Sequence, residues 1–199
     1  MIPTKKEAEK LLDWAGGLNP GIWTDHSKVV ARAAQTIASK CGFDIHRAYV
    51  SGLLHDIGRY AGVMNLRHVY LGYKLMNDKG YGKIADICLS HSFPNKIFNE
   101  YFGENDCNRD ELDIIATALS EAVFDEYDKL IQLCDAMGNS KGISLIDVRL
   151  MDVIRRYGFS DNATGKIEAI FDLKDHFDNL CGMNIYDLFY DEIRDVSFR

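Results

Sequence analysis

The chain has 199 residues, of which 47% are hydrophobic and 11% are aromatic. At this length a single domain is the default, and it can bury a core large enough to fold without disulfides. The apolar content excludes an intrinsically disordered chain. Because 23 Lys and Arg face 30 Asp and Glu, the net charge of −7 argues against binding to a nucleic-acid polymer or an anionic membrane.

The sequence carries no sign of export or of membrane insertion. It lacks a run of apolar residues as long as a membrane span, and the first ten residues, MIPTKKEAEK, lack the apolar centre of a signal peptide. The five cysteines are scattered and form no C-x-x-C pair, which favours reduced thiols. We therefore expect a cytoplasmic protein.

Apolar residues recur at helical spacing along most of the chain, and alternating strand patterns are scarce. We predict one all-α domain over residues 1–199, a bundle of about eight to ten helices. Capping signals, glycines and prolines divide the pattern into helices. Their predicted ranges are about 4–15, 24–40, 44–56, 65–78, 82–91, 110–120, 122–137, 144–157 and 162–181, with a last helix from 184.

Three local signals give specific predictions. Thr4 and Glu7 form a capping box that begins the first helix, and Gly16-Gly17 then predicts a loop. Ser144, with an Asp three residues later, predicts the start of another helix. Residues 92–109 contain Pro94 and Gly103 and predict a loop with a short helix, which is a candidate lid over a site.

Four of the six histidines fall on the inward faces of four different predicted helices: His26, His55, His68 and His91. His46 and His176 do not, and we expect them at the surface. One inward histidine is most simply a hydrogen-bonded core residue. Four need polar partners in a place that offers few, and one shared cation satisfies all of them. Imidazole suits iron, manganese, cobalt, nickel and zinc.

Two acids share this inward environment. Asp56 follows His55 where a helix ends, so the two side chains can converge on one point. Asp135 lies in the apolar stretch KLIQLCDAMG, where a carboxylate is costly unless it is paired or bound to a metal. A buried arginine partner is the alternative for Asp135.

These residues form an ordered pattern that resembles the HD superfamily of metal-dependent phosphohydrolases over about residues 22–140. The motifs that carry the resemblance are Asp25-His26-Ser27, Leu53-Leu54-His55-Asp56-Ile57-Gly58 and Leu133-Cys134-Asp135. The segments HSFP at 91–94 and YDKLIQLCDA at 127–136 are similar to those of small, uncharacterised bacterial members. The C-terminal helices, 144–199, would pack on this core.

The resemblance implies a ligand set and a chemistry. His26, His55, Asp56 and Asp135 would bind one divalent ion, and His68 and His91 would hold a second one bridged by Asp56. The expected reaction is cleavage of a phosphate ester or anhydride of a small molecule, a nucleotide being favoured, by hydroxide that the metal activates. Because the superfamily also contains di-iron oxygenases, an oxygenase and a non-catalytic nucleotide or phosphate sensor stay open as alternatives.

Further side chains are candidates around this centre. Arg59 is the expected phosphate-binding cation, and with Asp56 it completes the predicted catalytic pair; its alternative role is to cap helix carbonyls. Asp128 either orients a ligand histidine or simply begins its helix. Other candidates are weaker. Arg67 would line the rim of the site, and Lys96 and Arg149 would contact groups behind the ligands. Cys88 and Cys134 are expected as buried hydrophobes, and the aromatic segment 185–198 as a packing surface, on this domain or on a second copy in a homodimer.

Overall fold

The computed structural model describes residues 1–159 and 163–197. The described residues contain ten α-helices: α1 Lys5–Leu18, α2 Trp23–Cys41, α3 Ile45–Leu54, α4 Arg67–Asp78, α5 Gly82–Ser90, α6 Arg109–Glu121, α7 Glu126–Met137, α8 Ile146–Tyr157, α9 Ala163–Cys181 and α10 Tyr190–Ser197. A two-stranded antiparallel ribbon, β1 Gly138–Asn139 and β2 Gly142–Ile143, follows α7. Short 3₁₀ turns span Ile57–Ala61, Phe98–Glu100 and Ile185–Phe189. The predicted all-α fold is confirmed; residue 162 of the predicted ninth helix and Phe198 lie outside the described residues.

Most predicted helix ends follow from local chemistry. Thr4 and Glu7 form the capping box of α1, and the Asp44 carboxylate accepts the first free N–H groups of α3. Gly42 ends α2 with a φ of 74°, a left-handed conformation that favours glycine. Short turns therefore separate antiparallel helices along the N-terminal half of the chain.

Two local predictions are wrong. The Gly16-Gly17 pair does not end α1, which continues to Leu18; a side chain on Gly16 would lie 3.0 Å from the Thr24 methyl group. Ser144 does not cap α8, which has no side-chain cap. The Ser144 hydroxyl instead donates to the carbonyl of Met137 across the β1–β2 ribbon.

Three apolar clusters hold the helices together. In the largest, residues of α2 and α7, such as Val30 and Ile131, pack against Ile170 and Phe177 of α9. A second joins α1, α3 and α5, and a third joins α4, α5 and α6. The ends of α2, α3, α4, α5 and α7 meet between these clusters, and this is where the polar side chains are buried. No helix in the described part of the chain is both long and apolar enough to cross a bilayer.

The segment 92–109 is held by several side chains. Both Asp106 carboxylate oxygens accept backbone N–H groups at the start of α4, from Asn65 and Arg67. The Asn95 amide donates to Glu100 within the segment and to the carbonyl of Gly165 on α9. Hydrogen bonds therefore attach the candidate lid to α4 and α9. It is a loop with one short 3₁₀ turn, as the sequence predicted.

Candidate metal centre

The six predicted ligands all lie at or next to a helix end. His26 is in the first turn of α2, and His68 is in the first turn of α4. His55 and His91 directly follow α3 and α5, and Asp56 comes next in the chain after His55. Asp135 is in the last turn of α7. Because these ends converge, residues spread over more than a hundred positions of sequence meet at one place.

The first group consists of His26, His55 and Asp135. Oδ1 of Asp135 lies 3.0 Å from Nε2 of His26 and 3.8 Å from Nε2 of His55. Both imidazoles are buried, whereas the Asp135 side chain is 27% exposed. One ligand atom from each residue lies within 4.8 Å of the other two, which is close enough to share a single ion.

The second group consists of Asp56, His68 and His91. Oδ1 of Asp56 lies 3.1 Å from Nε2 of His68 and 3.6 Å from Nε2 of His91. The other carboxylate oxygen, Oδ2, lies 3.9 Å from Nε2 of His55. The ring centroids of His55 and His91 are 5.2 Å apart. The two groups are therefore contiguous, with Asp56 between them.

Backbone carbonyls orient three of the four imidazoles. Nδ1 of His55 lies 2.7 Å from the carbonyl of Gly52, and Nδ1 of His91 lies 2.9 Å from that of Cys88. Nδ1 of His68 makes the same contact with the carbonyl of Asn65. Since a carbonyl only accepts, each Nδ1 carries a proton, and in the neutral form of the ring Nε2 presents a lone pair to the centre. Ligand histidines are typically fixed in this way.

The centre consequently contains an excess of acceptors. Nε2 of His68 and Nε2 of His91 face each other at 3.2 Å, both as lone pairs, beside a carboxylate oxygen. Nε2 of His55 and Oδ1 of Asp56 are buried and have no hydrogen-bond donor among the described residues. Such an arrangement is unfavourable unless a cation lies among these atoms. The donor set, histidine nitrogen with carboxylate oxygen, fits first-row divalent metals.

The pKa shifts support a neutral His91 and ionised acids. Burial, together with the neighbouring His55 and His68, lowers the pKa of His91 to about 3, so that this ring is neutral at pH 7. Burial alone would raise the pKa of Asp135, but the hydrogen bond and charge of His26 hold it well below its usual range. Deprotonated acids and neutral imidazoles are the forms that bind metals.

Arg59 lies against the outer side of Asp56. Its Nε donates to Oδ2 of Asp56 at 2.6 Å, and its Nη1 donates to the carbonyl of Met64 at 3.2 Å. Although burial would raise the pKa of Asp56, the Arg59 charge and the neighbouring histidines keep it well below its usual range. Arg59 thus binds a backbone carbonyl and holds Oδ2 of Asp56, while Oδ1 points to His68 and His91.

Several other candidates lie away from the centre. Asp128 does not contact a ligand ring: it accepts from the Ser90 hydroxyl at 2.6 Å and completes the capping box of α7. Arg67 pairs with Glu111, and Lys96 donates to the carbonyl of Ala122. Cys88 and Cys134 are buried among apolar residues, as predicted. The two histidines set aside by the sequence analysis also lie outside the centre: His46 contacts the carbonyl of Pro3, and His176 pairs with Glu126.

A cavity of about 470 Å³ opens onto the centre. Its walls include His26, Asp56, His68, His91 and Asp135. Aromatic rings and cations also line it: Trp23, Tyr101, Phe102, Tyr157, Arg59, Arg149, Arg156 and Lys166. The sequence analysis identified Arg59 and Arg149 but missed Arg156, Lys166 and the aromatic residues. Arg156 and Lys166 follow ordinary helical patterns, and only the packing of α8 and α9 brings them to the cavity.

The family model described as HD domain matches residues 23–140, which run from the first residue of α2 into the β1–β2 ribbon. The chain belongs to the HD domain family. HD domains are typically metal-dependent hydrolases, and in this one the matched segment contains both histidine and aspartate groups that could bind metal. The helices α8, α9 and α10 lie beyond the matched segment of this HD domain. No solved structure matches the chain.

Proposed function

We propose that this HD domain is a phosphohydrolase that holds two divalent ions and cleaves a phosphate ester or anhydride of a small molecule, with a nucleotide as the favoured substrate class. The observation that carries the proposal is the meeting of four acceptors in one buried centre, Nε2 of His55, His68 and His91 and Oδ1 of Asp56, with the Asp135 carboxylate beside them. A binding module for an uncharged ligand has no need of such a costly arrangement.

The protein's own groups have separate tasks in this scheme. The ligand set His26, His55, Asp56, His68, His91 and Asp135 would hold the ions, with Asp56 reaching both groups. Bound there, divalent ions would supply a Lewis acid for a phosphoryl oxygen and lower the pKa of water towards 7. Asp56 is fixed by the ion pair with Arg59, so that Oδ1 stays aimed at the histidines.

The cavity favours a nucleotide among small phosphorylated molecules. Its volume of about 470 Å³ is in the range of sites for small ligands. Trp23, Tyr101, Phe102 and Tyr157 line the cavity, and an aromatic ring there can stack on a base. Arg59 also faces the cavity, and we assign it the additional role of attracting the phosphate.

The proposal is tested by metal analysis of the purified protein, followed by phosphatase, phosphodiesterase and nucleotide screens with manganese, iron, cobalt and nickel. We expect up to two ions per chain and phosphate release from at least one substrate. His55→Ala and Asp56→Ala should lose metal and activity together, and chelation should lower the Tm of the wild type, because an ion that binds only the folded state stabilises it.

Two results would overturn the proposal. Iron-dependent oxygen uptake without phosphate release from any substrate would indicate an oxygenase. Tight nucleotide binding without turnover under all four metals would indicate a sensor. His46→Ala is a suitable control, because His46 lies outside the centre, on α3 against the carbonyl of Pro3.

A further inference from the structure

The four cations of the cavity differ in their partners. Arg59 pairs with Asp56 at 2.6 Å. Arg149 and Arg156 share one carboxylate, that of Asp152, at 3.1 and 2.8 Å. Each arginine therefore has a carboxylate partner in the protein, although Arg149 and Arg156 share one between them.

Lys166 is the exception. Within residues 1–159 and 163–197, no carboxylate lies within ion-pair distance of its Nζ. The ammonium donates to the backbone carbonyl of Ser92 at 2.8 Å and lies 5.1 Å from the centre of the Phe102 ring. A half-buried ammonium can donate three hydrogen bonds, and this one uses a single N–H on a neutral partner. Its charge is left for an anion in the cavity to balance.

The position of Lys166 is fixed on two sides. Its acceptor, Ser92, is the residue after the predicted ligand His91, so the ammonium lies beside the second histidine group. The residue before it, Gly165, is tied through its carbonyl to the Asn95 amide at 2.9 Å. That amide is held in turn by the buried carboxylate of Glu100 at 3.0 Å. The first turn of α9 is thus hydrogen-bonded to the segment 92–109, which follows His91.

We propose that Lys166 binds a phosphoryl oxygen of the substrate and selects for a terminal phosphate with two negative charges. This inference rests on the proposed phosphohydrolase function and adds to it a binding residue outside the segment that matches the HD family. A lone cation interacts more strongly with a dianionic monoester than with a monoanionic diester, because the Coulomb energy scales with the charge of the ligand.

The test compares Lys166→Met with Lys166→Arg, which keeps the charge, and with Lys174→Met as the matched control. Lys174 is on the same helix but pairs with Asp178 and does not line the cavity. Metal content, KM and kcat for p-nitrophenyl phosphate and bis-p-nitrophenyl phosphate, and the Kd of inorganic phosphate by calorimetry are measured for each. If Lys166→Met fails to fold, Lys166→Gln replaces it.

For Lys166→Met we expect full metal content. The KM for the monoester and the Kd of phosphate should both rise about tenfold to a hundredfold, because one charge-assisted hydrogen bond is lost. The KM for the diester should rise less. Lys166→Arg should retain most of the phosphate affinity, and Lys174→Met should resemble the wild type. Unchanged KM and Kd, or loss of metal from Lys166→Met, would overturn the inference. Absence of phosphate release by the wild type under every metal would instead overturn the proposed function, while the phosphate Kd would still test Lys166.

Discussion

Replacement of Gly58 by alanine tests how closely the 3₁₀ turn after the ligand pair packs on α4. A Cβ on Gly58 would lie 1.9 Å from the carbonyl oxygen of His68 and 2.5 Å from the backbone N of Gly72. Both atoms belong to the helix backbone, so no side chain can rotate away. To restore an ordinary contact, the first turns of α4 must retreat by about 1.5 Å.

That movement has two measurable costs. Overpacking of this kind costs about 3 kcal/mol of unfolding free energy, the upper end of the usual range, because backbone must shift. For a domain of this size it corresponds to a Tm lower by about 6–12 °C. The same movement carries His68 away from Asp56, whose Oδ1 is 3.1 Å from its Nε2, and metal sites tolerate errors of only about 0.2 Å.

The assay is thermal unfolding followed by metal analysis after dialysis. Gly17→Ala is the matched control, because no atom lies within 4 Å of the added Cβ and the position is helical. It should stabilise the protein by up to about 1 kcal/mol. A Gly58→Ala protein with the Tm and metal content of the wild type would falsify the reasoning, since α4 would then have room that the structure does not show.

Two further predictions concern a helix cap and a titration. Thr4→Ala removes the capping box of α1, should lower the free energy of unfolding by about 1 kcal/mol and the Tm by about 2–4 °C, and is checked by calorimetry. Burial lowers the pKa of Lys166 to about 8, although Asp135 and Glu100 oppose this shift. The ammonium is therefore charged at pH 7 and loses its charge above pH 8, so the KM for a phosphate monoester should rise between pH 7 and pH 9. Lys166→Arg should lack this rise, and identical profiles for the two proteins would contradict the assignment.

The sequence allowed the fold class to be predicted. The inward histidines and acids allowed a shared cation to be predicted from the sequence, whereas the full set of six ligands came from the resemblance to the HD superfamily. An Asp between Cys134 and Ala136, or a His on an apolar helix face, must find a polar partner, and a shared cation is an economical one. The order of these residues along the chain supported the prediction, which does not depend on how the helices pack.

The missed features depend on packing between distant segments. The acceptors of the ring protons are backbone carbonyls, which side-chain identity does not reveal. Lys166 lies between Gly165 and Ile167 in an ordinary helical pattern, and its charge has a role only because α9 lies over the cavity. Gly16 and Gly17 weaken a helix by intrinsic propensity, yet α1 continues through both of them to Leu18.

The cavity is assembled from two stretches of chain that follow each other without overlap. Every predicted ligand precedes residue 136, whereas Arg149, Arg156, Tyr157 and Lys166 come from the two helices after the β1–β2 ribbon. Mutations in those later helices can therefore change which molecule the cavity binds without replacing any of the six candidate metal ligands.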